Sequence, residues 1–434
     1  MSDGLARLGL HRPELRAWAM YDWANSVFMT TVLMVFPLFL DVAAGDLPRS
    51  VASARFAWAT AAAIVLVGLL GPVLGALADY EGNKKAMLGL FLGIGVVSTA
   101  AMGLLERGDF VLALVLFVLG NVGVTSTLAF YNSLLPHIAQ PDEVDRVSTA
   151  GFALGYLGGG ILLALNLAVI RSPQRFGLAD EASAMRVSFV SAAVWWLVFS
   201  LPLFLKVPEP PRRLEAGESG RNPLLVAFSR LRTTIGELRG HKDAVLLLLA
   251  FLIYNDAINT IIRMATRYGQ ELSIPTSALI TAVVMVQFVG VPFAFAFGAL
   301  ASRRGARFSI FLALAVYVAI TLAAFAMRTT AHFFLICFLV GTVMGGAQAL
   351  SRSLFATMIP RHKAAEMFGF FGVFDRFGGA IGSSIFGFVV LGTGSSRPAI
   401  LCLSLFFVIG GLLLSRVDVP RGQRAAREAE ARAA

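Results

Sequence analysis

Long apolar runs separated by short polar stretches fill almost the whole chain. Twelve runs are each about 18 to 28 residues long, enough for an α-helix to cross the ~30 Å hydrocarbon core of a bilayer. Several are rich in glycine and β-branched residues, which membrane helices tolerate. The pattern predicts an all-α polytopic membrane protein with twelve transmembrane helices. The runs lie near residues 17–40, 56–80, 86–105, 110–135, 147–170, 187–205, 244–268, 274–301, 308–327, 333–359, 366–392 and 398–415.

The composition supports this class. Hydrophobic residues make up 57% of the 434 residues, charged residues only 14%, and the mean hydropathy is +0.76. Soluble domains carry about 25% charged residues, so a soluble globular protein is excluded. Cys337 and Cys402 fall inside apolar runs and indicate buried thiols rather than a disulfide framework. Residues 1–16 lack a short apolar core with a cleavage site, so we expect no removable signal peptide.

The basic residues are distributed unevenly between the two ends of the predicted helices. The formal net charge is +10, and 24 of the 36 Lys and Arg residues fall on the side that holds both termini. Nine fall in the opposite loops, and Arg263, Arg352 and Arg376 fall within spans. Cytoplasmic loops carry the excess of positive charge, so we expect both termini in the cytoplasm. The charge is therefore a topology signal, and no nucleic-acid partner is expected.

One long connector divides the spans into six and six. We predict an N-terminal six-helix bundle over residues 1–205, a cytoplasmic linker over 206–243, a C-terminal six-helix bundle over 244–416 and a cytoplasmic tail over 417–434. The linker opens with a proline-rich stretch that excludes helix. Its later part predicts a helix on the cytoplasmic membrane surface, or alternatively a partner-binding helix. That part spaces Leu224, Phe228, Leu231, Ile235 and Leu238 every three to four residues, with Arg230, Arg232 and Arg239 between them.

The two halves resemble each other in sequence. The Asp22-x-x-Asn25 pattern of the first span recurs as Asp256-x-x-Asn259 in the seventh. The Gly-Ala-Leu-Ala stretch that begins at Gly75 closes the second span, and the same four residues close the eighth. Because these matches keep the same order, they predict a duplicated fold of two six-helix repeats, with a site at the repeat interface.

Acids within the apolar runs are the first candidate site residues. Asp256 lies ~18 Å into its run, close to the bilayer midplane. An ionised carboxylate in hydrocarbon is costly, so an acid there more often has a function than a packing role. Asn259 follows three residues later on the same helical face. Asp22, with Asn25, lies only ~8 Å into the first run, so both a functional role and interfacial anchoring stay open.

The tenth and eleventh runs add further polar residues. Arg352 lies ~10 Å from the cytoplasmic end of its run, where it either snorkels to the surface or lines a polar site with Gln348 one turn deeper. Asp375 and Arg376 are adjacent, so they point about 100° apart on a helix and each needs a partner on another helix. Asn121 adds an uncharged polar group in the fourth run. Arg263 sits near the outer end of the seventh run, where we expect an interfacial residue.

The loop after the second span carries a motif similar to the cytoplasmic loop signature of the major facilitator superfamily. It runs Gly75-Ala76-Leu77-Ala78-Asp79-Tyr80-Glu81-Gly82-Asn83-Lys84-Lys85. Gly75 permits close helix packing, Gly82 permits a tight turn, and Asp79 suits a helix N-terminus. Lys84 and Lys85 are expected to anchor the loop at the lipid surface. The resemblance implies a gating role for these five residues; the second copy has Ser302 in place of the acid.

Four stretches together resemble the vacuole-effluxer family, and the similarity extends from about residue 16 to 416. They are Trp18–Ser26, Phe251–Asn259, Gly345–Ser353 and Glu366–Gly372. The resemblance implies a major facilitator fold in which spans one, four, seven and ten line a central cavity. Its best-known members are yeast vacuolar permeases tied to autophagy that release amino acids. This chain lacks the long insertions of the fungal members, which suits a bacterial plasma membrane.

The leading hypothesis is a secondary active transporter, symporter or antiporter, for a small polar solute. An amino acid moved by efflux is the expected substrate, with proton coupling as an option. Asp256 and Asn259 would bind substrate or a proton, with Asp22 and Asn25 as counterparts. The alternatives are flipping of an amphiphile such as a lysolipid, and a non-transporting membrane receptor or assembly factor. No nucleophile, metal or phosphate-loop constellation appears, so we expect no enzyme and no cofactor, and we expect a monomer whose partners are the solute, protons and the bilayer.

Overall fold

We describe residues 2–212, 218, 220, 222–237 and 241–433 of a computed structural model, with the backbone alone at positions 2, 3, 49, 235, 237, 266, 267, 276 and 376–380. This part of the chain forms twelve long helices, labelled α1 to α12. They are α1 (Pro13–Ala44), α2 (Arg49–Glu81), α3 (Lys84–Ala101), α4 (Phe110–Ile138), α5 (Val144–Arg171), α6 (Glu181–Lys206), α7 (Lys242–Glu271), α8 (Thr276–Arg304), α9 (Ala306–Phe325), α10 (Thr330–Thr357), α11 (Ala364–Thr393) and α12 (Ser396–Ser415).

The helices match the twelve predicted spans. Eleven are long and apolar enough to cross a membrane by their described residues. The remaining one, α11, has 30 residues, of which Ile381–Thr393 form an apolar stretch. Several helices extend a turn or more beyond the apolar runs because polar residues continue them to a cap. The Asp180 carboxylate, for example, accepts a hydrogen bond from the Ser183 backbone N–H at 2.8 Å and starts α6.

The first helix is irregular in its middle. Residues Phe28–Val32 form a π-helical turn, and the Thr30 hydroxyl donates to the Ser26 carbonyl at 3.0 Å. Five residues beyond that turn Pro37 lacks an N–H, so the carbonyl four residues earlier loses its helical partner. π-helical turns occur often at functional sites. The hydropathy pattern did not predict the turn at Phe28–Val32.

The two halves pack in the same way. In the first, α1 contacts α5 and α6, and α3 contacts α4 and α6. In the second, α7 contacts α11 and α12, and α9 contacts α10 and α12. The halves meet mainly where α2 packs on α11 and where α5 packs on α8. This is the predicted pair of six-helix bundles, and the repeated packing is what a duplicated fold requires.

Both chain ends lie at the same end of the bundle. Arg12 hydrogen-bonds Glu143 just before α5 at 2.6 Å, and Asp145 in the first turn of α5 accepts from Ser353 of α10 at 2.5 Å. The C-terminal helix Val419–Arg432 reaches the same end, where Gln423 donates to Thr357 at 3.2 Å. We call this end the termini side and the opposite end the far side.

The N-terminal contact carries a perturbed acid outside the spans. Partial burial raises the pKa of Glu143, but the hydrogen bonds from the Gln140 backbone N–H and from Arg12 outweigh it and hold that pKa below its usual value. His11 lies 3.0 Å from the same carboxylate. The N-terminal segment is therefore tied to the start of α5.

The linker contains the predicted helix, at Pro223–Glu237, but that helix packs differently from the prediction. It contacts α2, and its buried face carries Arg230, which is 2% exposed. The sequence analysis placed Arg230 between the apolar positions of that helix, not on its buried face. The Glu218 carboxylate instead satisfies its guanidinium at 2.6 and 2.7 Å, and the Tyr80 ring lies 5.6 Å away. Leu224 and Phe228 stay exposed, whereas Leu238 and Arg239 lie outside the described residues.

Candidate functional site

A cavity of about 450 Å³ lies between the two halves. It extends from Asp22 to Leu33 along α1, a distance of ~16 Å towards the far side. Spans one, four, seven and ten all contribute to its walls, as the family resemblance implied, and α5, α8 and α11 complete them. The lining residues are Asp22, Asn25, Ser26, Met29, Thr30, Leu33, Leu128, Asn132, Phe152, Gly155, Tyr156, Phe251, Asn259, Ile262, Arg263, Gln287, Met344, Gln348, Arg352, Phe371 and Asp375.

An ion pair between the halves closes the termini-side end of the cavity. Both terminal nitrogens of Arg352 lie 3.1 Å from Asp22 Oδ2, which joins α10 to α1. The Arg352 Nε donates to the Ser148 hydroxyl at 2.9 Å, and its other donors reach the Ser148 carbonyl and the Asn132 side chain at 2.8 and 3.3 Å. Asp22 is 7% exposed and Arg352 4%. Arg352 therefore does not snorkel, because its charge is neutralised inside the protein.

Aromatic rings enclose the same guanidinium. Its carbon lies 4.5 Å from the centroid of the Phe152 ring, 4.9 Å from that of Trp18 and 5.7 Å from that of Tyr131. Rings at these distances attract a cation, and they also exclude water. The Trp18 indole N–H donates to the Tyr131 carbonyl at 2.9 Å, which fixes one ring in place. The Asp22–Arg352 pair thus has aromatic walls on the Arg352 side.

A hydrogen-bonded chain of polar side chains forms part of the C-terminal wall. Gln348 donates to the Asn255 side-chain oxygen at 2.9 Å, and Asn255 donates to Asp375 Oδ1 at 2.7 Å. Asp375 thus has the partner on another helix that its position required. The side chain of Arg376 lies outside the described residues.

The remaining polar lining residues lie along the sides of the cavity. Asn25 is 4% exposed, and its amide nitrogen has no hydrogen-bond partner in the described part of the chain. Asn259 lines the C-terminal side. Arg263, which is exposed, also lines the cavity, and its interfacial position stays a prediction.

Two candidate residues lie outside the cavity lining. Asp256 is 1% exposed and packs against α11, where its Oδ2 accepts from the Gly382 backbone N–H at 2.5 Å. A Cβ on Gly382 would lie 2.9 Å from that oxygen, so only glycine lets the carboxylate approach. Its Oδ1 has no partner among the described residues. Asn121 donates to the Phe117 carbonyl of its own helix at 2.9 Å.

The loop motif forms a second inter-half contact on the termini side. A Cβ on Gly75 would lie 2.2 Å from the Ala365 carbonyl oxygen, so α2 and α11 touch at a glycine, as expected. Asp79 Oδ2 accepts from the Glu366 backbone N–H at 2.9 Å, at the positive N-terminus of α11. Lys84 Nζ lies 2.8 Å from the other oxygen of Asp79. The gating role of these residues stays a prediction.

The lysines of the motif do not anchor the loop at the lipid surface. Lys84 is 4% exposed because it pairs with Asp79. Lys85 Nζ donates to the Phe204 and Val207 carbonyls at 2.8 and 2.6 Å, at the end of α6. Their ammonium groups satisfy a buried carboxylate and free helix-end carbonyls instead. Gly82 adopts φ 68°, the left-handed turn expected of it.

The second copy of the motif makes a different contact. The Ser302 hydroxyl donates to the Gly298 carbonyl of its own helix at 3.0 Å, so it does not cap α5. A Cβ on Gly298 would meet the Thr149 hydroxyl oxygen at 2.1 Å, so the close packing is kept without the charge. The inter-half contacts are therefore asymmetric, as the missing acid predicted.

Sequence reasoning did not identify several residues that complete these contacts. Ser148 and Asn255 bind the charged residues of the cavity, and Glu366 is fully buried beside Asp79. A single serine among small residues gives no signal of an arginine partner. Asn255 adjoins Asp256 in sequence, but of the two the sequence analysis named only Asp256 as a candidate site residue. Of the three, Glu366 had the clearest sequence signal, because an acid in the first turn of a helix interacts favourably with the helix dipole.

Comparisons with known proteins agree with this architecture. The family described as "Vacuole effluxer Atg22 like" matches residues 11–427. The "Uncharacterized MFS-type transporter YxiO" of Bacillus subtilis is 34% identical over 92% of this chain and 94% of its own length. "Autophagy-related protein 22" of Kluyveromyces lactis is 22% identical over 80% of this chain and 75% of its own.

Solved structures share the fold. The human organic anion transporter MFSD10 superposes with a TM-score of 0.71 at 14% identity, over 93% of this chain and 99% of its own. The proton:xylose symporter XylE gives 0.71 at 14% identity over 99% of both chains. Together with the helix packing and the family match, these similarities establish a multi-pass integral membrane transporter. The chain belongs to the vacuole effluxer Atg22-like family of the major facilitator superfamily.

Proposed function

We propose that this transporter is a secondary active carrier that moves a small polar solute, with an amino acid as the expected substrate. The observation that carries the proposal is the charged cavity between the halves, closed on the termini side by the Asp22–Arg352 pair. Its volume of about 450 Å³ suits a small solute, since ligand pockets measure about 300–1,000 Å³.

The cavity offers groups of both signs. Asp22 and Asp375 present carboxylates to it, and Arg263 and Arg352 present guanidinium groups. A zwitterion needs both, because its ammonium pairs with a carboxylate and its carboxylate pairs with a guanidinium. The unpartnered amide nitrogen of Asn25 is a further donor. An α-amino acid offers a charged group of each sign to this set, whereas an uncharged sugar offers only neutral hydrogen-bonding groups.

Exchange of partners at the ion pair gives a physical route to alternating access. A solute carboxylate that binds Arg352 competes with Asp22, and the solute ammonium replaces the guanidinium beside Asp22. No charge is left uncompensated, which avoids the several kcal/mol that one buried, unpaired ion costs. The inter-half link is then broken, and the contact of α2 with α11 separates next. In this scheme Gly75, Asp79, Gly82, Lys84 and Lys85 act in gating.

Proton coupling, in this proposal, involves Asp256. That carboxylate is buried between α7 and α11, next to the Asn255 that binds Gln348 and Asp375. Loss or gain of its proton changes the contact with Gly382 and thereby the packing of α7 on α11. Asp256 thus acts beside the cavity rather than as a direct solute ligand.

We propose a monomer in a bacterial plasma membrane with both termini cytoplasmic and efflux as the direction. The excess of Lys and Arg on the termini side supports that orientation. The two bundles, residues 1–205 and 244–416, move as bodies joined by the linker 206–243, and the tail 417–434 stays on the cytoplasmic side.

Amphiphile flipping is the second candidate, and one observation favours it. An apolar cavity of about 150 Å³ lies within the C-terminal bundle. It shares Ile262, Gln287 and Met344 with the central cavity, so the two spaces adjoin. A cavity of that size accepts a benzene-sized apolar group. A solute with a polar head and an apolar tail would occupy both.

Flux in proteoliposomes tests both candidates. We expect uptake of radiolabelled amino acids to depend on protein and to fall at least tenfold in Arg352→Gln, because the substrate carboxylate loses its charged partner. Arg328→Gln, an exposed far-side residue, is the matched control and should transport normally. Absence of amino-acid flux with flipping of a fluorescent lysolipid would favour the second candidate, and absence of both would refute transport of either class.

A further inference from the structure

A groove of about 530 Å³ runs along the outer surface of α6, away from the central cavity. Arg186, at its far-side end, and Phe199 are 13 residues apart on α6, which corresponds to ~20 Å of helix. A Cβ on Gly103, below the groove, would lie 2.4 Å from Val190, so the glycine lets α6 approach the end of α3. The groove is lined by Gly103, Leu162, Arg186, Val187, Val190, Ser191, Val194, Trp195, Val198 and Phe199.

The groove faces the bilayer. Val187, Val194 and Val198 on its α6 wall are 41%, 55% and 48% exposed, although they lie within a transmembrane helix. An exposed apolar surface on a membrane-spanning helix contacts lipid. A length of ~20 Å also exceeds the ~15 Å depth of one hydrocarbon leaflet. The groove thus has the chemistry and the length to hold one acyl chain.

A cation lies at the headgroup end of this apolar surface. The Arg186 Nε is buried and has no hydrogen-bond partner among the described residues. A guanidinium binds phosphate through paired N–H donors. Five residues further along α6, ~7.5 Å deeper, the Ser191 hydroxyl donates to the Asn166 side-chain oxygen at 3.1 Å. Asn166 is 4% exposed, and its amide nitrogen also lacks a partner in the described part of the chain.

We propose that this groove is a binding site for one phospholipid of the far-side leaflet. Arg186 binds the lipid phosphate, the Ser191–Asn166 pair lies at the depth of the ester groups, and one acyl chain follows the valine stripe of α6. The order of these features along the helix, cation, then hydrogen-bonding pair, then apolar groove, is the order of groups in a phospholipid. The inference does not depend on which solute the central cavity binds.

Two stacked tryptophans connect the groove to the central site. Trp195 lines the groove, stacks on Trp23 with ring centroids 5.5 Å apart, and donates to the Trp23 carbonyl at 3.3 Å. Trp23 follows Asp22 directly on α1. A bound chain therefore stabilises the packing of α6 on the part of α1 that carries the inter-half ion pair.

Native mass spectrometry of the full chain, purified and titrated with phosphatidylglycerol or phosphatidylcholine, tests the site. We expect Arg186→Gln to weaken binding of the first phosphatidylglycerol about tenfold, because one charge-assisted contact is lost. Arg175→Gln, an exposed far-side residue outside the groove, is the matched control and should bind as the wild type does. Val194→Trp fills the groove and should weaken the binding of both lipids.

Further arms separate the possible outcomes. Inorganic phosphate in millimolar excess should not displace the lipid, because the acyl chain supplies much of the affinity; displacement would overturn the proposal in favour of an anion site. Unchanged binding in Arg186→Gln or in Val194→Trp would overturn it as well. If Arg186→Gln fails to fold, Arg186→Lys keeps the charge but loses the paired donors, and it should show an intermediate affinity.

Discussion

The Asp22–Arg352 pair makes the sharpest quantitative prediction. Asp22→Asn leaves the Arg352 charge buried between the halves without its counterion, which typically costs about 3–5 kcal/mol. The lower figure applies because Ser148 and Asn132 still accept hydrogen bonds from the guanidinium. The pair joins α1 to α10, so this cost falls on the form closed at the termini side. About 3 kcal/mol shifts the conformational equilibrium ~100-fold, enough to turn a 99:1 mixture into about 1:1.

Distances between spin labels on the two halves measure that shift. Labels at Asp142→Cys and Arg303→Cys are exposed on the termini side, one before α5 and one at the end of α8. The native Cys337 and Cys402 are first replaced by serine. We expect one short distance without the Asp22→Asn change and a second, longer distance of comparable population with it.

The double variant tests the electrostatic reasoning. Asp22→Asn combined with Arg352→Gln removes both buried charges, so no ion is left without a partner. It should open less than Asp22→Asn alone, with a coupling between the two sites of the same order as the single effect. An unchanged distance distribution in Asp22→Asn, or a double variant more open than either single variant, would refute the pair as an inter-half link.

Three further predictions follow from the structure. Asp79→Asn removes the negative charge at the N-terminus of α11 and breaks the buried ion pair with Lys84. It should slow transport severalfold, while the dissociation constant for substrate, measured by equilibrium binding, changes by less than a few-fold. A large loss of binding at unchanged turnover would contradict this. Asp256→Asn mimics the protonated acid, so it should abolish proton-driven accumulation yet keep solute exchange in proteoliposomes; undiminished proton-driven uptake shows that the residue only packs. Positive charge concentrates on the side of Ala431, so Ala431→Cys should react with an impermeant maleimide only from inside sealed cells. Ala179→Cys, on the far side, should react only from outside. The reverse pattern would show that the topology is inverted.

The sequence by itself determined the class, the spans and five of the seven helices that line the cavity, whereas it gave no signal for α5 and α8. Hydropathy reports how each stretch partitions into hydrocarbon, which is a local property, so twelve runs predicted twelve helices. Polar residues inside those runs are costly, so they marked α1, α4, α7, α10 and α11 as helices that contribute to a site. The glycine and acid of the loop motif also behaved as local chemistry required, because a helix N-terminus attracts a carboxylate wherever the two meet.

Only the tertiary structure decided which polar groups meet. Asp22 and Arg352 are 330 residues apart, and nothing local to either indicates the other. Adjacent residues on a helix point about 100° apart, so the rotation of α7 about its axis decides whether Asn255 or Asp256 faces a given neighbour. In the structure Asn255 bonds Gln348 and Asp375, whereas Asp256 packs on α11. The rotation of each helix is set by packing against its neighbours, and that packing cannot be read from one helix alone.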